Sequence, residues 1–373
     1  MFVEIHLLQS FAPSNLNRDD TGSPKDCQFG GVRRARISSQ CLKRSIRTAP
    51  VFDYTTQVPT AKRTKRIIGK LVERLAARGR DAAESTQAVT ALVTAYLSKL
   101  DSKDLKLTAV LLHISEAELT AMQEAVEANW EGLLSNDPKK AAEGIAKELT
   151  KSFQTHTSAP DVALFGRMLA EKPELGLEAA CQVAPAISTH RVSIEMDFYT
   201  AVDDLNPADT AGAGMMGIIA YDSACYYRYM RIDWGQLVRN LGGDLDLARR
   251  TLEGFVRAAE EAVPSGKQNS FAANNPPSLA LAVVREDGMG WNLVNAFEKP
   301  VRTNGEGGYV TSSVAALDAY WGALCDAYGT DTLRCVAART LGQDLPIQTL
   351  APHLVPGREA WLQAVLGAIP QEA

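Results

Sequence analysis

A change of hydrophobic period along the chain restricts its fold more than any other feature. Val3, Ile5 and Leu7 alternate with Glu4 and His6, which places the aliphatic side chains on one face of an extended strand. From about residue 60 to 180 the spacing becomes three and four, in Ala-rich stretches such as TQAVTALVTAYLSKL and EAELTAMQEAVEANWEGLL, which predicts helices. Alternation then returns over 190–200, with Val192, Ile194, Met196 and Phe198 on one face, and again over 218–232 (IIAYDSACYYRYMRI). These two segments predict a long β-hairpin with a large tip. Further on, the pattern predicts a helix over 244–262, the loop PSGKQNSFAANNPPS, strands LALAVVRE and WNLVNAF joined by DGMG, and helices near 311–328 and 359–368. Strands on both sides of a helical excursion give an α+β domain that is discontinuous in sequence.

The helical excursion also separates two regimes of charge. Residues 1–80 hold 16 Lys and Arg against 6 acidic residues, although the whole chain of 373 residues has a net charge of -5. A polyanion would be held by this end and repelled by much of the remainder, which favours a defined track over diffuse adhesion. No apolar run approaches the length of a bilayer crossing, and MFVEIHLLQSF lacks the features of a signal peptide, so the chain reads as soluble and cytoplasmic, without a membrane partner. The six cysteines show no C-x-x-C pair and no zinc-ligand spacing, so they read as reduced thiols, with no metal or cofactor expected.

Within the basic end, residues 11–31 (rich in Pro, Asn, Asp and Gly) predict a loop of about twenty residues, longer than compact domains keep without a function. Ser38 and Ser39 then offer N-caps for a helix to about Arg47. On its wheel Leu42 and Ile46 share one face, Gln40, Lys43 and Arg47 another, and Arg44 lies beyond them. Arg33, Arg34 and Arg36 lead into the helix start at Ser38, where free backbone N–H groups favour a phosphate and guanidinium groups add bidentate donors. These residues describe a site that grips a nucleic-acid backbone. Lys267, Gln268 and Asn269 of GKQNS suit contact with a nucleotide, although an ordinary polar loop explains them as well. Gly212, Gly214 and Gly217 satisfy G-x-G-x-x-G, but a strand-like segment follows them where a dinucleotide fold requires a helix. Asp19, Asp20 and Asp26 could in principle hold a divalent metal for phosphodiester cleavage; their mixture with Arg18 and Lys25 points instead to local salt bridges. No G-x-S-x-G, H-E-x-x-H or P-loop is present, so a non-catalytic protein is expected.

The segments Leu16 to Asp20 (LNRDD), Phe29-Gly30-Gly31 and Arg33 to Arg44 (RRARISSQCLKR) resemble CasC, the family of backbone subunits of type I-E CRISPR Cascade complexes. The resemblance continues through Asp161 to Leu169 (DVALFGRML), His190-Arg191-Val192, Phe198 to Leu205 (FYTAVDDL), Tyr227-Arg228-Tyr229 and GKQNS, in the same order from about residue 4 to 300. It implies an RRM-like (ferredoxin-like) palm in three parts (1–55, 236–310 and a C-terminal helical part, 311–373), a helical fingers insertion (56–185), and a thumb hairpin with its flanking palm strands (186–235). It further implies that several copies, about six, bind one CRISPR RNA beside other Cascade subunits and present it for pairing with a target DNA strand in antiviral defence. Arg18, Lys25, Gln40, Lys43 and Arg47 would grip the guide backbone, and Met168 would wedge beside bases with Phe198, Tyr199, Thr200 and Val202; His190 falls within a matched run. Related backbone subunits that cut guide-bound target RNA with a loop aspartate supply the alternative, a metal-dependent ribonuclease.

Overall fold

The computed structural model describes residues 1–169, 171–202, 213–303, 305, 308–342 and 345–370. The chain forms two compact units. One comprises Met1–Phe52, Gln182–Ile232 and the described residues from Phe255 to Pro370; the other comprises Asp53–Cys181 and Asp233–Gly254. No described helix is long and apolar enough to cross a membrane.

The first unit is built on an antiparallel sheet whose strands run, from one edge, Leu333–Thr340, Leu279–Arg285, Phe2–Ser14, Ala213–Asp233, Ala186–Ser188, Val32–Ile37 and Asp26–Phe29. The opening strand is central in this order, with Phe2 opposite Arg285 and Leu8 opposite Leu279. Its central place explains why Glu4 and His6 are as inaccessible as Val3, Ile5 and Leu7. A buried polar group is tolerated when its hydrogen bonds are made. Glu4 accepts from Arg285 Nε at 3.1 Å and from the Trp291 N–H at 3.0 Å. The Tyr227 hydroxyl accepts from the Leu293 N–H at 2.8 Å and shares a hydrogen bond with His6 Nδ1, also at 2.8 Å. Burial, with Arg285 nearby, pushes the His6 pKa down to about 3, so the ring stays neutral. On the Tyr227 side of the sheet, Leu8, Leu281, Val283, Phe297, Leu317 and Trp321 form one apolar cluster.

Two expectations fail at the C-terminal end of this unit. The segment WNLVNAF is not a strand: Leu293–Phe297 is a 3₁₀ helix, with Asn292 Oδ1 accepting from the Val294 N–H and with Leu293 and Phe297 buried. The place beside Leu279–Arg285 belongs to Leu333–Thr340, a strand the pattern did not disclose because apolar and polar residues do not alternate in LRCVAART. The predicted twenty-residue loop also shortens, because Phe2–Ser14 runs further than expected and Asp26–Phe29 pairs with Val32–Ile37.

In the second unit the helices Ile67–Ala76, Ala82–Tyr96, Glu116–Ala128 and Pro138–Phe153 bury Leu71, Leu75, Val89, Leu92, Met122 and Ile145 together. Their starts follow from local chemistry. Asp81 accepts from the N–H groups of Ala83 and Glu84, and Ser115 with Glu118 forms a reciprocal capping box. Glu118 also holds Arg167 in an ion pair that is almost fully buried.

Candidate nucleic-acid interface

The basic residues are carried by a hairpin and the helix that follows it. Asp26–Phe29 and Val32–Ile37 are joined through Gly30 and Gly31, both at positive φ (60° and 75°). At Gly30 a Cβ atom would lie 1.7 Å from the carbonyl oxygen of Glu298, so only glycine allows this close approach. The helix Ser39–Arg47 begins where predicted: Ser38 Oγ accepts from the Cys41 N–H at 3.3 Å, and the Ser38 N–H donates to Asn17 Oδ1 at 2.8 Å. Leu42 and Ile46 are buried, and Arg44 and Arg47 occupy the last turn, where the helix dipole favours cations.

The loop before the hairpin brings further cations to the helix start. The Lys25 N–H donates to the Asn17 carbonyl and the Lys25 carbonyl accepts from the Arg36 N–H, while Arg18 bridges Pro24 through the backbone. Asp19 Oδ1 accepts from both the N–H and the hydroxyl of Thr21 and from the Ser23 N–H, which holds its carboxyl below the usual range and closes the loop. Arg18, Gln40 and Arg44 are exposed, whereas Lys25, Arg36, Lys43 and Arg47 are half-buried. Arg33 is exposed and paired with Asp26 at 2.6 Å.

Four expected contacts serve the scaffold instead. Arg34 is fully buried, with Nε donating to Phe29 O, Nη1 to Ser188 O and Nη2 to Phe297 O and Glu298 O, so its donors are spent on backbone carbonyls. His190 is 3% exposed and stacks on Tyr309 with ring centroids 3.5 Å apart. Its Nε2 accepts from the Cys225 N–H and its Nδ1 donates to Arg191 O, an arrangement that requires the neutral ring; burial lowers its pKa. Ser38 is a buried cap, and Gln268 donates to Pro264 O to brace its own loop. Beside it Asn269 is exposed and Lys267 half-buried, the latter at φ 51°.

Glu195–Val202 pairs with the outer part of Ala213–Asp233 as an antiparallel hairpin, placing Phe198 opposite Ile218 and Thr200 opposite Met216. Cross-strand partners share a face. Met196, Phe198, Met216 and Ile218 thus form one apolar surface, each more than half exposed. Met196, Met216 and Ile218 escaped the sequence reading as site residues, although their period-two spacing marks them. Tyr199 lies on the other face across Gly217, where a Cβ would fall 2.3 Å from its ring. Thr200 is exposed; Val202 belongs to the strand, but its side chain, like the tip over 203–212, lies outside the described residues. In the helical unit Met168 is 90% exposed. Among the described residues no group of three or more His, Cys, Asp and Glu could hold a metal ion.

A model of the CT1975-like protein family matches residues 3–352. No curated protein sequence matches the chain. Among solved structures, a chain of a "CRISPR RNA-guided surveillance complex, pre-nicking" is similar with a TM-score of 0.87 and 30% identity, over 99% of this chain and 100% of that one. A chain of a second structure, "CRISPR RNA-guided surveillance complex", gives a TM-score of 0.77 and 26% identity over the same shares.

Proposed function

The chain belongs to the CT1975-like protein family and is a Cascade-type CRISPR subunit, and we propose that it is the backbone element whose copies line up along a guide RNA. One observation carries this reading: Arg18, Lys25, Gln40, Lys43, Arg44 and Arg47 are gathered on one loop and one helix of the sheet unit, each exposed or half-buried. Cations on a fixed helix hold phosphates without regard to base identity, which suits a protein that must accept any guide sequence. Sequence is then read by base pairing between guide and target strand. The exposed faces of Phe198 and Met216 on the thumb, and of Met168 on the fingers, offer apolar contact to bases.

The deciding measurement is the mass of the particle formed with guides of increasing length and unrelated sequence. Copies that increase in step with length, on any sequence, support the reading; a single copy at every length overturns it. The ribonuclease alternative has weaker support in the geometry, because Asp26 is paired with Arg33 and Asp19 closes its own loop. Cleavage of matched RNA in magnesium that disappears in Asp26→Ala would reinstate it.

A further inference from the structure

Among the described residues Met168 is the most exposed large apolar side chain, at 90%, yet its neighbours Arg167 and Leu169 are buried, at 6% and 3%. The chain around it is fixed at several points. Gly166 stands at φ 75°, where a Cβ atom would fall 2.8 Å from the Leu177 carbonyl oxygen, so a glycine is required. The Arg167 N–H donates to Leu177 O at 2.9 Å, and the Leu177 N–H donates to Arg167 O at 2.8 Å. Leu169 and Leu175 join the apolar cluster of the helices. The Arg167 side chain completes the anchorage, with Nε donating to Leu175 O at 2.9 Å and Nη1 to Glu118 Oε1. Glu118 is itself held, because its Oε2 accepts from the Ser115 N–H at 2.9 Å and from the Ser115 hydroxyl at 2.8 Å. One buried carboxylate therefore ties the turn that presents Met168 to the start of the helix Glu116–Ala128, 49 residues away in sequence from Arg167. Apolar residues of similar volume often stabilise a core as well as a buried ion pair does; what such a pair can add is a defined geometry. A methionine has use for one, since its side chain is unbranched and turns about three bonds.

We propose that Glu118 and Arg167 are positioning residues for nucleic-acid recognition: their ion pair sets the place from which Met168 reaches a base of the bound strand. Both are buried, so they act through Met168 rather than on the strand itself. The proposal rests on the reading of Met168 as a base contact and adds to it the residues that hold that contact in place.

A double-mutant cycle on the affinity of the intact chain for an unstructured RNA tests this. Met168→Ala weakens binding by about two- to tenfold, the worth of a thioether against an aromatic ring. Glu118→Gln keeps an acceptor for the Ser115 N–H but removes the charge, and it loses most of the same factor while leaving the salt slope of binding unchanged. Added to Met168→Ala it loses nothing further, because it acts through that side chain alone. Losses that multiply in the double variant, or a changed salt slope, mean a general loosening of the helical unit and overturn the proposal. Full affinity in Glu118→Gln with Met168→Ala impaired also overturns it and leaves the base contact standing, whereas full affinity in Met168→Ala removes the base contact and the proposal together. An RNA carrying 2-aminopurine at successive positions supplies a local readout: both single variants change the fluorescence at the same positions, and effects at different positions sink the idea. Arg167→Lys, which keeps the charge and gives up the Nε bond to Leu175, takes the place of Glu118→Gln in the cycle if that variant does not fold.

Discussion

The strand Val32–Ile37 and the helix Ser39–Arg47 each carry three basic residues, yet they use them differently. On the strand, Arg34 is fully buried and donates to four carbonyl oxygens, two of them in residues 297 and 298. On the helix, Arg44 is exposed, and Lys43 and Arg47 are half-buried at the surface. A guanidinium whose donors are met by backbone acts as a fastener for chain segments far apart in sequence. One whose donors face solvent is available to a phosphate. A single basic run therefore contains both a buried brace, Arg34, and an exposed cation, Arg44.

The sharpest way to break this comparison is Arg34→Met, which leaves buried carbonyls without donors and should cost at least about 3 kcal/mol. An unchanged midpoint in urea would mean that the brace is dispensable. Arg33→Gln, on the exposed side of the same strand, should change stability by less than about 0.5 kcal/mol.

Asp222, 4% exposed, extends the test to acids. Burial lifts its carboxyl to about 6; a hydrogen bond from Tyr226 opposes the shift, and the charge of Asp26 adds to it. Between its ordinary value of 3.8 and 6, the folded chain keeps a proton that the unfolded chain has released, so its contribution to stability is lost as pH rises through this window. Denaturation curves at pH 4 and 7 should show Asp222→Asn gaining about 1 to 3 kcal/mol at the higher pH relative to the parent chain.

Two predictions concern the ligand side. Phe198→Ala should weaken RNA binding by about 1 to 3 kcal/mol if the ring stacks on a base, whereas equal binding would leave it a solvent-facing strand residue. Lys43→Ala should fold normally and lower the slope of log affinity against log salt by about 0.7, the value for one phosphate contact on a single strand. A slope identical to that of the parent would take Lys43 out of the track.

Much of this arrangement was readable from local signals. The helix Ser39–Arg47 follows from a serine cap and from apolar residues four apart, and the hairpin strands Glu195–Val202 and Ala213–Asp233 from alternation, because both patterns operate within a few residues. Leu333–Thr340 was hidden because its pairing with Leu279–Arg285, rather than its own pattern, holds it in the sheet. The segment Leu293–Phe297 misled for the converse reason: its residues favour a strand, but with that edge occupied it turns as a short helix.

By itself the sequence determined that strands enclose a helical excursion, that cations concentrate near the N-terminus, and that one helix there has an apolar face and a cationic face. It could not determine which cations remain available. Arg33, Arg34 and Arg36 are chemically equivalent as letters; only the return of the chain at Ser188 and at Phe297–Glu298 encloses Arg34 and leaves Arg33 outside. Hydrogen bonds that span 154 and 263 residues depend on how the sheet is ordered, and that order is a property of the packed whole.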